Sequence, residues 1–243
     1  MAKRLAWYAA AVCLVFLAAI GFLFFRDRNT GGGSVQPPQP HFESDEKIKL
    51  SEIRLRIFYA VPQNQVRDIP KDWRSEIETA IQDLPDFHAN QFHYASHIVP
   101  EIYSAPVVLE RDNFYYDTAD TNYGNPEGLK RIAPELERRF PDFIKTENGG
   151  YNVTAIVYEG VGAAGSPGAM ILSRTFLSDP AYRNFRSSLF YHEFGHAIGL
   201  SDKYDPKTDQ PSSNDIMGRG RLRPLPTNYI DPLTVKAMGV SVN

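Results

Sequence analysis

Apolar residues alternate with polar ones in the middle of the chain, a pattern that is typical of strands. Between Glu52 and Val61 every second residue is apolar, which predicts a strand with one buried face. The β-branched run from Tyr151 to Tyr158 predicts a fully buried strand, and Ala169–Ser173 predicts a short one. Residues 92–109 also have the composition of strands, and we expect interruptions at the two prolines of this stretch.

Apolar residues three or four positions apart predict helices between and after these strands. We expect one helix over 70–84, ended by Pro85, and another over 125–140. A third is expected over 187–200, and a short one over 232–238 near the C-terminus. Strands mixed with a few helices, followed by a long irregular C-terminal segment, predict a domain of the α+β (mixed α/β) class.

The N-terminus carries an uncharged segment that predicts a membrane anchor. Residues 5–25 are 21 consecutive residues without a charge, long enough for a helix to cross the roughly 30 Å hydrocarbon core of a bilayer. We expect an uncleaved signal anchor over 1–28; the alternatives are a cleaved signal peptide and a buried core helix. The first two interpretations place the rest of the chain outside the cytoplasm, either membrane-anchored or secreted.

A linker follows the apolar segment and precedes the folded part. Residues 29–40 contain three glycines and three prolines, a composition that favours a tether over a packed structure. The globular domain then runs over 41–243. This length of roughly 200 residues is sufficient for one hydrophobic core.

The charge and the cysteine content of the chain exclude several classes of function. Lys and Arg number 26 against 29 Asp and Glu, so the net charge is −3 and a nucleic-acid partner is not expected. The only cysteine is Cys13, which belongs to the apolar N-terminal segment. A disulfide framework, a Cys-ligated zinc site and a cysteine nucleophile are therefore excluded from the folded part.

Two histidines four residues apart in the segment HEFGHAIGLSD predict a metal site. His192 and His196 would leave the same face of a helix one turn apart and could share one Zn²⁺ ion. Glu193, next to the first histidine, would then serve as general base on a metal-activated water. Two histidines on an apolar helix face can also serve packing alone, and this alternative stays open for the five-residue motif by itself.

Residues beyond this helix supply a third candidate ligand. Gly199 can adopt the left-handed backbone conformation that ends a helix, after which the chain turns back toward the metal. Asp202 follows His196 by six residues and is thereby placed to complete a His₂-carboxylate set. Such a set, with water in the fourth position, is a known arrangement for catalytic zinc. The alternative for Asp202 is a solvated acidic residue in a loop.

The pattern HExxHxxGxxD resembles that of the metzincin metallopeptidases, and most of all the snapalysin family of small secreted bacterial enzymes. The similarity continues through a turn that contains Met217 and covers about residues 188–219. It implies a metzincin-like zincin domain with a twisted mixed sheet and two long helices above the cleft. An irregular part after Gly199 would close the cleft from below, with Met217 beneath the metal as an apolar floor.

The same resemblance implies how a substrate would be held. In metzincins the edge strand before the active-site helix binds the substrate backbone by strand addition. The corresponding stretch here is 160–169, which is rich in glycine and alanine and allows close approach. A flexible surface loop is the alternative for this stretch.

Two further groups of residues give weaker indications of chemistry. Tyr204 and Tyr229 could each donate a hydrogen bond to the oxyanion that forms during hydrolysis, although an ordinary structural role is the simpler interpretation. His88, His93 and His97 lie within ten residues of one another and could form a second metal site. Ordinary packed or exposed histidines are the favoured alternative, because the spacing fits no regular element that we predict.

A calcium site is the last candidate. Asp117, Asp120 and Asn122 could coordinate Ca²⁺ through their oxygen atoms. The ligand pattern is incomplete, so a turn rich in Asp and Asn is the favoured interpretation.

Together these features predict a zinc-dependent endopeptidase that hydrolyses protein or peptide substrates. One catalytic Zn²⁺ would be held by His192, His196 and Asp202. Two other classes remain open: a non-catalytic zinc-containing binding module on a membrane tether, and a metal hydrolase of cell-wall amides. The intact Glu193 disfavours the binding module, because binding alone would not need a proton acceptor.

Overall fold

Six strands form one mixed sheet in the part of the chain that the structure describes. The computed structural model describes residues 50–117, 124–144, 150–205, 208 and 210–238, all within the compact unit Phe42–Asn243. The order in the sheet is β2-β1-β4-β6-β5, and β3 pairs with the last two residues of β1. Neighbouring strands run parallel except β5, which is antiparallel to β6. In chain order the strands are β1 (Glu52–Val61), β2 (His97–Ile102), β3 (Val107–Val108), β4 (Tyr151–Tyr158), β5 (Ala163–Ser166) and β6 (Ala169–Ser173).

Helices connect these strands and lead into an irregular C-terminal part. After the last residue of α7, the described chain contains 3₁₀ turns and one short helix but no strand. The mixed α/β class and the irregular C-terminal part are therefore confirmed. In chain order the helices are α1 (Trp73–Ile81), α2 (Leu84–Gln91), α3 (Asn113–Tyr116), α4 (Pro126–Arg139), α5 (Pro141–Ile144), α6 (Thr175–Ser178), α7 (Arg186–Ala197) and α8 (Pro232–Ala237).

The apolar core lies on both faces of the sheet. On one face, β1 residues such as Leu55 and Ile57 belong to a buried cluster with Ile77 of α1 and Phe190 of α7. On the other face, Phe58 of β1 belongs to a second cluster with side chains of α4. The prediction that β1 has a single buried face is therefore wrong. Because β1 has strands on both sides and helices over both faces, both sets of its side chains lie in the interior.

Two prolines have roles that differ from the predictions. Pro85 does not end a helix; it lies in the first turn of α2, where a residue needs no N–H for intrahelical bonding. The preceding helix, α1, ends at Ile81. Pro100 does not interrupt its strand, because β2 is an edge strand of the described sheet and pairs with β1 alone. An edge strand tolerates proline, since one of its sides makes no ladder hydrogen bonds.

The predicted anchor over 5–25 and the linker over 29–40 lie outside the described residues. Among the helices that the structure describes, none combines the length and the apolar character needed to cross a membrane. The anchor therefore stays a prediction.

His88 in α2 is fully buried and joins α2 to α7 through a chain of hydrogen bonds. Its Nδ1 lies 2.8 Å from the Tyr191 hydroxyl oxygen, and its Nε2 lies 2.8 Å from Ser96 Oγ. Ser96 donates its hydroxyl proton to the Leu50 carbonyl oxygen. We therefore assign the Nε2–H of His88 as donor to Ser96 and its Nδ1 as acceptor from Tyr191. Burial lowers the pKa of His88 to about 3 and so keeps the imidazole neutral.

Acid should destabilise the protein through His88. The unfolded imidazole titrates near 6.5 and the folded one near 3, so between these values the unfolded state binds one more proton. The free energy of unfolding should fall by up to about 1.4 kcal/mol per pH unit as the pH drops from 6.5 toward 3. His88→Gln keeps a donor and an acceptor but does not titrate, so it should remove this part of the slope in urea unfolding.

The matched control for this prediction is His93→Asn. His93 is exposed and has a φ of 49°, a backbone conformation that Asn tolerates. The His93→Asn variant should retain the loss of stability below pH 6.5 that depends on buried His88. Equal slopes in the wild type and His88→Gln would contradict the prediction.

Candidate metal centre

Helix α7 presents two histidines on one side, as the four-residue spacing requires. The ring centroids of His192 and His196 are 4.9 Å apart. The side chain of His192 is 5% exposed and that of His196 is 19% exposed, so His192 is buried and His196 reaches solvent in part. Phe190 and Phe194 of the same helix are fully buried in the core, which holds α7 against the sheet.

The chain reverses directly after α7. Gly199 has a φ of 96°, which favours glycine, and the N–H of Leu200 donates to the carbonyl of Gly195 over 2.8 Å. A second bond runs from the Gly199 N–H to the His196 carbonyl. These two bonds define a Schellman motif and confirm the predicted helix end, although α7 itself stops at Ala197.

This reversal brings Asp202 to the two histidines. Its Oδ1 lies 3.4 Å from the Nε2 of His192 and 3.4 Å from the Nε2 of His196. One ligand atom from each of the three residues lies within 4.8 Å of the others, and this is the one such group found among the described residues. The structure therefore brings together the three predicted ligands, while their role in binding a metal stays a prediction.

Backbone carbonyls orient both imidazoles toward the shared space. Nδ1 of His192 lies 3.1 Å from the carbonyl oxygen of Ile216, and Nδ1 of His196 lies 2.9 Å from that of Leu200. A proton on each Nδ1 leaves the Nε2 lone pair free, which is the tautomer that a metal needs. Two imidazole nitrogens and a carboxylate form a donor set that suits zinc. The residues present thus fit a zinc ion.

Burial and mutual charge set the protonation of this cluster in the metal-free protein. Burial lowers the pKa of His192 to about 4. Burial also acts to lower the pKa of His196, but the hydrogen bond and the negative charge of Asp202 outweigh it and raise this pKa. Burial acts to raise the pKa of Asp202, whereas its bond to His196 and the charges of both histidines lower it. Because a metal needs the Nε2 lone pair of His196, metal binding would compete with protonation of that imidazole.

Glu193 lies beside the cluster on the same helix. Part of its side chain reaches solvent, yet its carboxyl lies deep enough that burial raises its pKa to about 7. No ion pair in the described part of the chain includes this carboxylate. Glu193 is therefore free to exchange protons with a molecule held at the cluster.

The turn with Met217 packs directly beneath α7. Met217 is fully buried, and a Cβ atom added to Gly195 would lie only 2.6 Å from its Sδ. The sulfur therefore contacts the helix between the two histidine positions. The neighbouring residue, Ile216, supplies the carbonyl that orients His192. This turn thus supports the histidines from below.

A buried carboxylate holds this turn in place, a role that the sequence did not indicate. Oδ1 of Asp215 accepts the Met217 N–H over 2.7 Å, and its Oδ2 lies 2.8 Å from the Lys203 ammonium nitrogen. The Lys203 N–H in turn donates to the Met217 carbonyl over 2.9 Å. Because Lys203 follows Asp202 directly, the Asp215–Lys203 pair fixes the turn and the candidate ligand together. The one sequence feature that could have suggested this role is the Asp two residues before Met217.

The two tyrosines proposed as oxyanion donors make no hydrogen bond to the three candidate ligands among the described contacts. The ring of Tyr204 lies under the guanidinium of Arg221, and Tyr229 is 44% exposed. Their role as oxyanion donors stays a prediction.

The three histidines of the N-terminal half do not form a metal group among the described residues, in keeping with the favoured interpretation that they are packed or exposed. His88 is buried and hydrogen-bonded, whereas His93 and His97 are exposed. Of the calcium candidates, Asp120 and Asn122 lie outside the described residues. Asp117 accepts a hydrogen bond from the Val161 N–H over 3.4 Å.

Comparison with known proteins finds similarity in structure only. No protein-family model matches the chain, and no curated protein sequence does so either. Catalytically inactive OgpA from Akkermansia muciniphila, solved with an O-glycopeptide substrate, has a TM-score of 0.50 and 15% identity over 84% of this chain. Archaemetzincin from Methanopyrus kandleri has a TM-score of 0.43 and 14% identity, covering 79% of this chain and 97% of its own. A zinc-dependent peptidase from Methanocorpusculum labreanum has a TM-score of 0.42 and 12% identity, covering 78% of this chain and 100% of its own.

The similarity to OgpA shows that the two proteins share a fold. The matched region spans 64% of the OgpA chain, which is less than two thirds of its length. At identities this low the similarity concerns the fold alone.

Replacing Asp215 should loosen the site as well as the fold. Asp215→Ala removes the acceptor of the Met217 N–H and leaves the Lys203 ammonium without its buried partner. We expect a loss of about 3–5 kcal/mol in the free energy of unfolding, the usual cost of breaking a buried ion pair, together with weaker zinc binding. Urea unfolding and zinc titration would measure the two effects.

The matched control is Asp231→Asn. Asp231 also contacts the Lys203 ammonium, over 3.1 Å, but its side chain is 39% exposed. Asn retains the oxygen that accepts the Leu233 N–H at the start of α8. This variant should unfold and bind zinc much like the wild type, and losses equal to those of Asp215→Ala would contradict the role given to Asp215.

Proposed function

We propose that this chain is a zinc-dependent endopeptidase. The observation that carries the proposal is the convergence of His192 Nε2, His196 Nε2 and Asp202 Oδ1 on one space, with Glu193 beside them. The fold shared with OgpA supports it, since that protein was solved with an O-glycopeptide substrate. We therefore propose a peptide substrate for this chain too.

The residues of the cluster have separable roles in the proposed reaction. Bound zinc would supply Lewis acidity, which polarises a carbonyl group and makes water easier to deprotonate. His192, His196 and Asp202 would hold the ion. The Glu193 carboxylate would accept the proton of the attacking water and deliver it to the departing amine nitrogen. Met217 would keep the floor of the site apolar and dry.

The position of the edge strand β5 supports the proposal that an extended substrate binds beside it. A Cβ atom added to Gly165 would lie 2.4 Å from the Glu193 carbonyl oxygen and 2.6 Å from His196 Cβ. The strand thus passes directly over the part of α7 that carries the candidate site. The Asn125 N–H donates a hydrogen bond to the Ala163 carbonyl, so this carbonyl already has a partner. In the described sheet, Ala164 to Ser166 pair with β6 on one side and with no strand on the other. We propose that substrate backbone pairs there.

Several finer proposals rest on the sequence pattern. Membership of the snapalysin family rests on the Asp202 ligand and the Met217 turn. Tyr204 or Tyr229 would donate to the developing oxyanion. Export across a membrane, with anchoring through residues 5–25, rests on the apolar N-terminal segment.

Peptide turnover by the full chain tests the central proposal. A mixed library of internally quenched peptides would be offered to zinc-loaded wild type and to Glu193→Gln, with the zinc content of both measured. We expect one zinc per chain in both proteins and a loss of kcat/KM of about 10²–10⁴-fold in the variant, because general base catalysis contributes this much. If neither protein cleaves although both hold zinc, the peptidase proposal fails. Cell-wall amides and ligand binding would then be tested.

N-methylated substrates test strand addition. Methylation removes one backbone N–H at a time from a cleaved peptide. Because alternate residues of a strand point their backbone groups to the same side, we expect losses of kcat/KM at every second position near the cut. Each loss should be about three- to tenfold, the value of one hydrogen bond. Equal effects at neighbouring positions, or none at all, would contradict pairing with β5.

A further inference from the structure

Arg221 lies on a turn that is fixed to the floor of the candidate site. The 3₁₀ turn Arg219–Leu222 begins two residues after Met217 and packs against α7. The Gly220 N–H donates to the Asp215 carbonyl over 2.9 Å, and the Arg219 N–H donates to the Ser213 carbonyl over 2.8 Å. The backbone at Arg221 is therefore held by the same residues that hold the Met217 turn.

The guanidinium of Arg221 packs on a residue that is close in sequence to the candidate ligand Asp202. Its guanidinium carbon lies 4.9 Å from the centroid of the Tyr204 ring, two residues after Asp202. Its positive charge helps to lower the pKa of Asp202 and opposes the rise that burial causes in the pKa of Glu193. It also contributes to the lowered pKa of His192. The charge of Arg221 thus acts on His192, Glu193 and Asp202.

The guanidinium has no anionic partner in the described part of the chain. Arg174, by contrast, forms ion pairs with both Glu76 and Glu159. Among the described residues, Arg221 forms no ion pair and donates no hydrogen bond; stacking on Tyr204 leaves its N–H groups available. Its side chain is partly exposed, so a molecule at the site can reach it.

With zinc bound, the positive charges at the site would exceed the negative charges by one, which favours the binding of an anion. The two positive charges of the proposed zinc would balance the carboxylates of Asp202 and Glu193. The charge of Arg221 then has no counterpart among the described residues. A planar guanidinium held by an aromatic ring is well suited to a bidentate bond with a carboxylate.

We propose that Arg221 binds a carboxylate of the substrate beside the scissile bond and so makes the protein selective for acidic substrates. This inference rests on the proposed peptidase function. The carboxylate could belong to a Glu or Asp side chain or to the C-terminus of a peptide. Arg219 and Arg223, in the same segment, are exposed and have no ring beneath them in the described structure.

Matched peptides test this selectivity with the full zinc-loaded chain. The peptides of a pair would differ only by Glu or Gln at one of three positions on either side of the cut. Each peptide would be made in two forms, with a C-terminal carboxylate and with a C-terminal carboxamide. We expect the wild type to prefer the acidic member by about tenfold or more in kcat/KM at one position, as one hydrogen bond to a charged group supplies. A preference for Glu over Gln identifies a side chain, and a preference for acid over amide identifies a C-terminus.

Three variants isolate Arg221. Arg221→Gln should bring the preference near one, mainly by raising KM for the acidic peptide, whereas Arg221→Lys should retain part of it. Arg219→Gln should keep the wild-type preference. Losses in Arg221→Gln that are equal for acidic and neutral peptides, or a preference that stays unchanged, would overturn the proposal. Urea unfolding of each variant separates these results from a folding defect.

A binding measurement keeps this inference separate from the peptidase proposal. Fluorescence anisotropy would give the Kd of labelled Glu and Gln peptides, of both C-terminal forms, for Glu193→Gln with and without the Arg221→Gln change. If the wild type cleaves nothing but acidic peptides bind through Arg221, the peptidase proposal fails and the carboxylate site stands. If neither cleavage nor binding depends on Arg221, the carboxylate site is overturned.

Discussion

The reversal of the chain after α7 is the constraint on which the candidate site depends. Only a left-handed residue at Gly199 lets the backbone fold back within five residues, so that Asp202 reaches both His192 and His196. The reversal would be loose on its own. It is held by Asp215, whose buried carboxylate binds the Met217 N–H and the Lys203 ammonium together.

Burial of α7 in the core raises the free energy of the charged forms of its titratable side chains. Because α7 packs against the sheet, His192 is nearly enclosed and its pKa falls, while the pKa of Glu193 rises. Burial alone would lower the pKa of His196 as well, but Asp202 reverses the direction. A divalent cation would relieve this cluster of mixed charge. Strand β5 passes over the same part of α7, and the guanidinium of Arg221 packs on Tyr204, two residues after Asp202.

The wrong predictions share one cause: the local sequence pattern does not determine which strands pair or which helices pack together. Pro85 is a helix breaker by composition, but tertiary contacts begin a new helix at Leu84 and place the proline in its first turn. Pro100 is tolerated because β2 ended up at an edge. His88 was expected to be an ordinary packed or exposed histidine, but only the fold reveals that its partners are Ser96 and Tyr191.

The sequence by itself determined the strands β1, β4 and β6, the helix of the two histidines, and the residue that ends it. These depend on side-chain periodicity and on the backbone freedom of one glycine, which are local properties. Only the tertiary structure decided that β1 is buried on both faces, that Asp215 and Lys203 hold the Met217 turn, and that Arg221 packs on Tyr204. Those arrangements join residues that are distant in the chain, and their free energy comes from burial and charge pairing that exist only after folding.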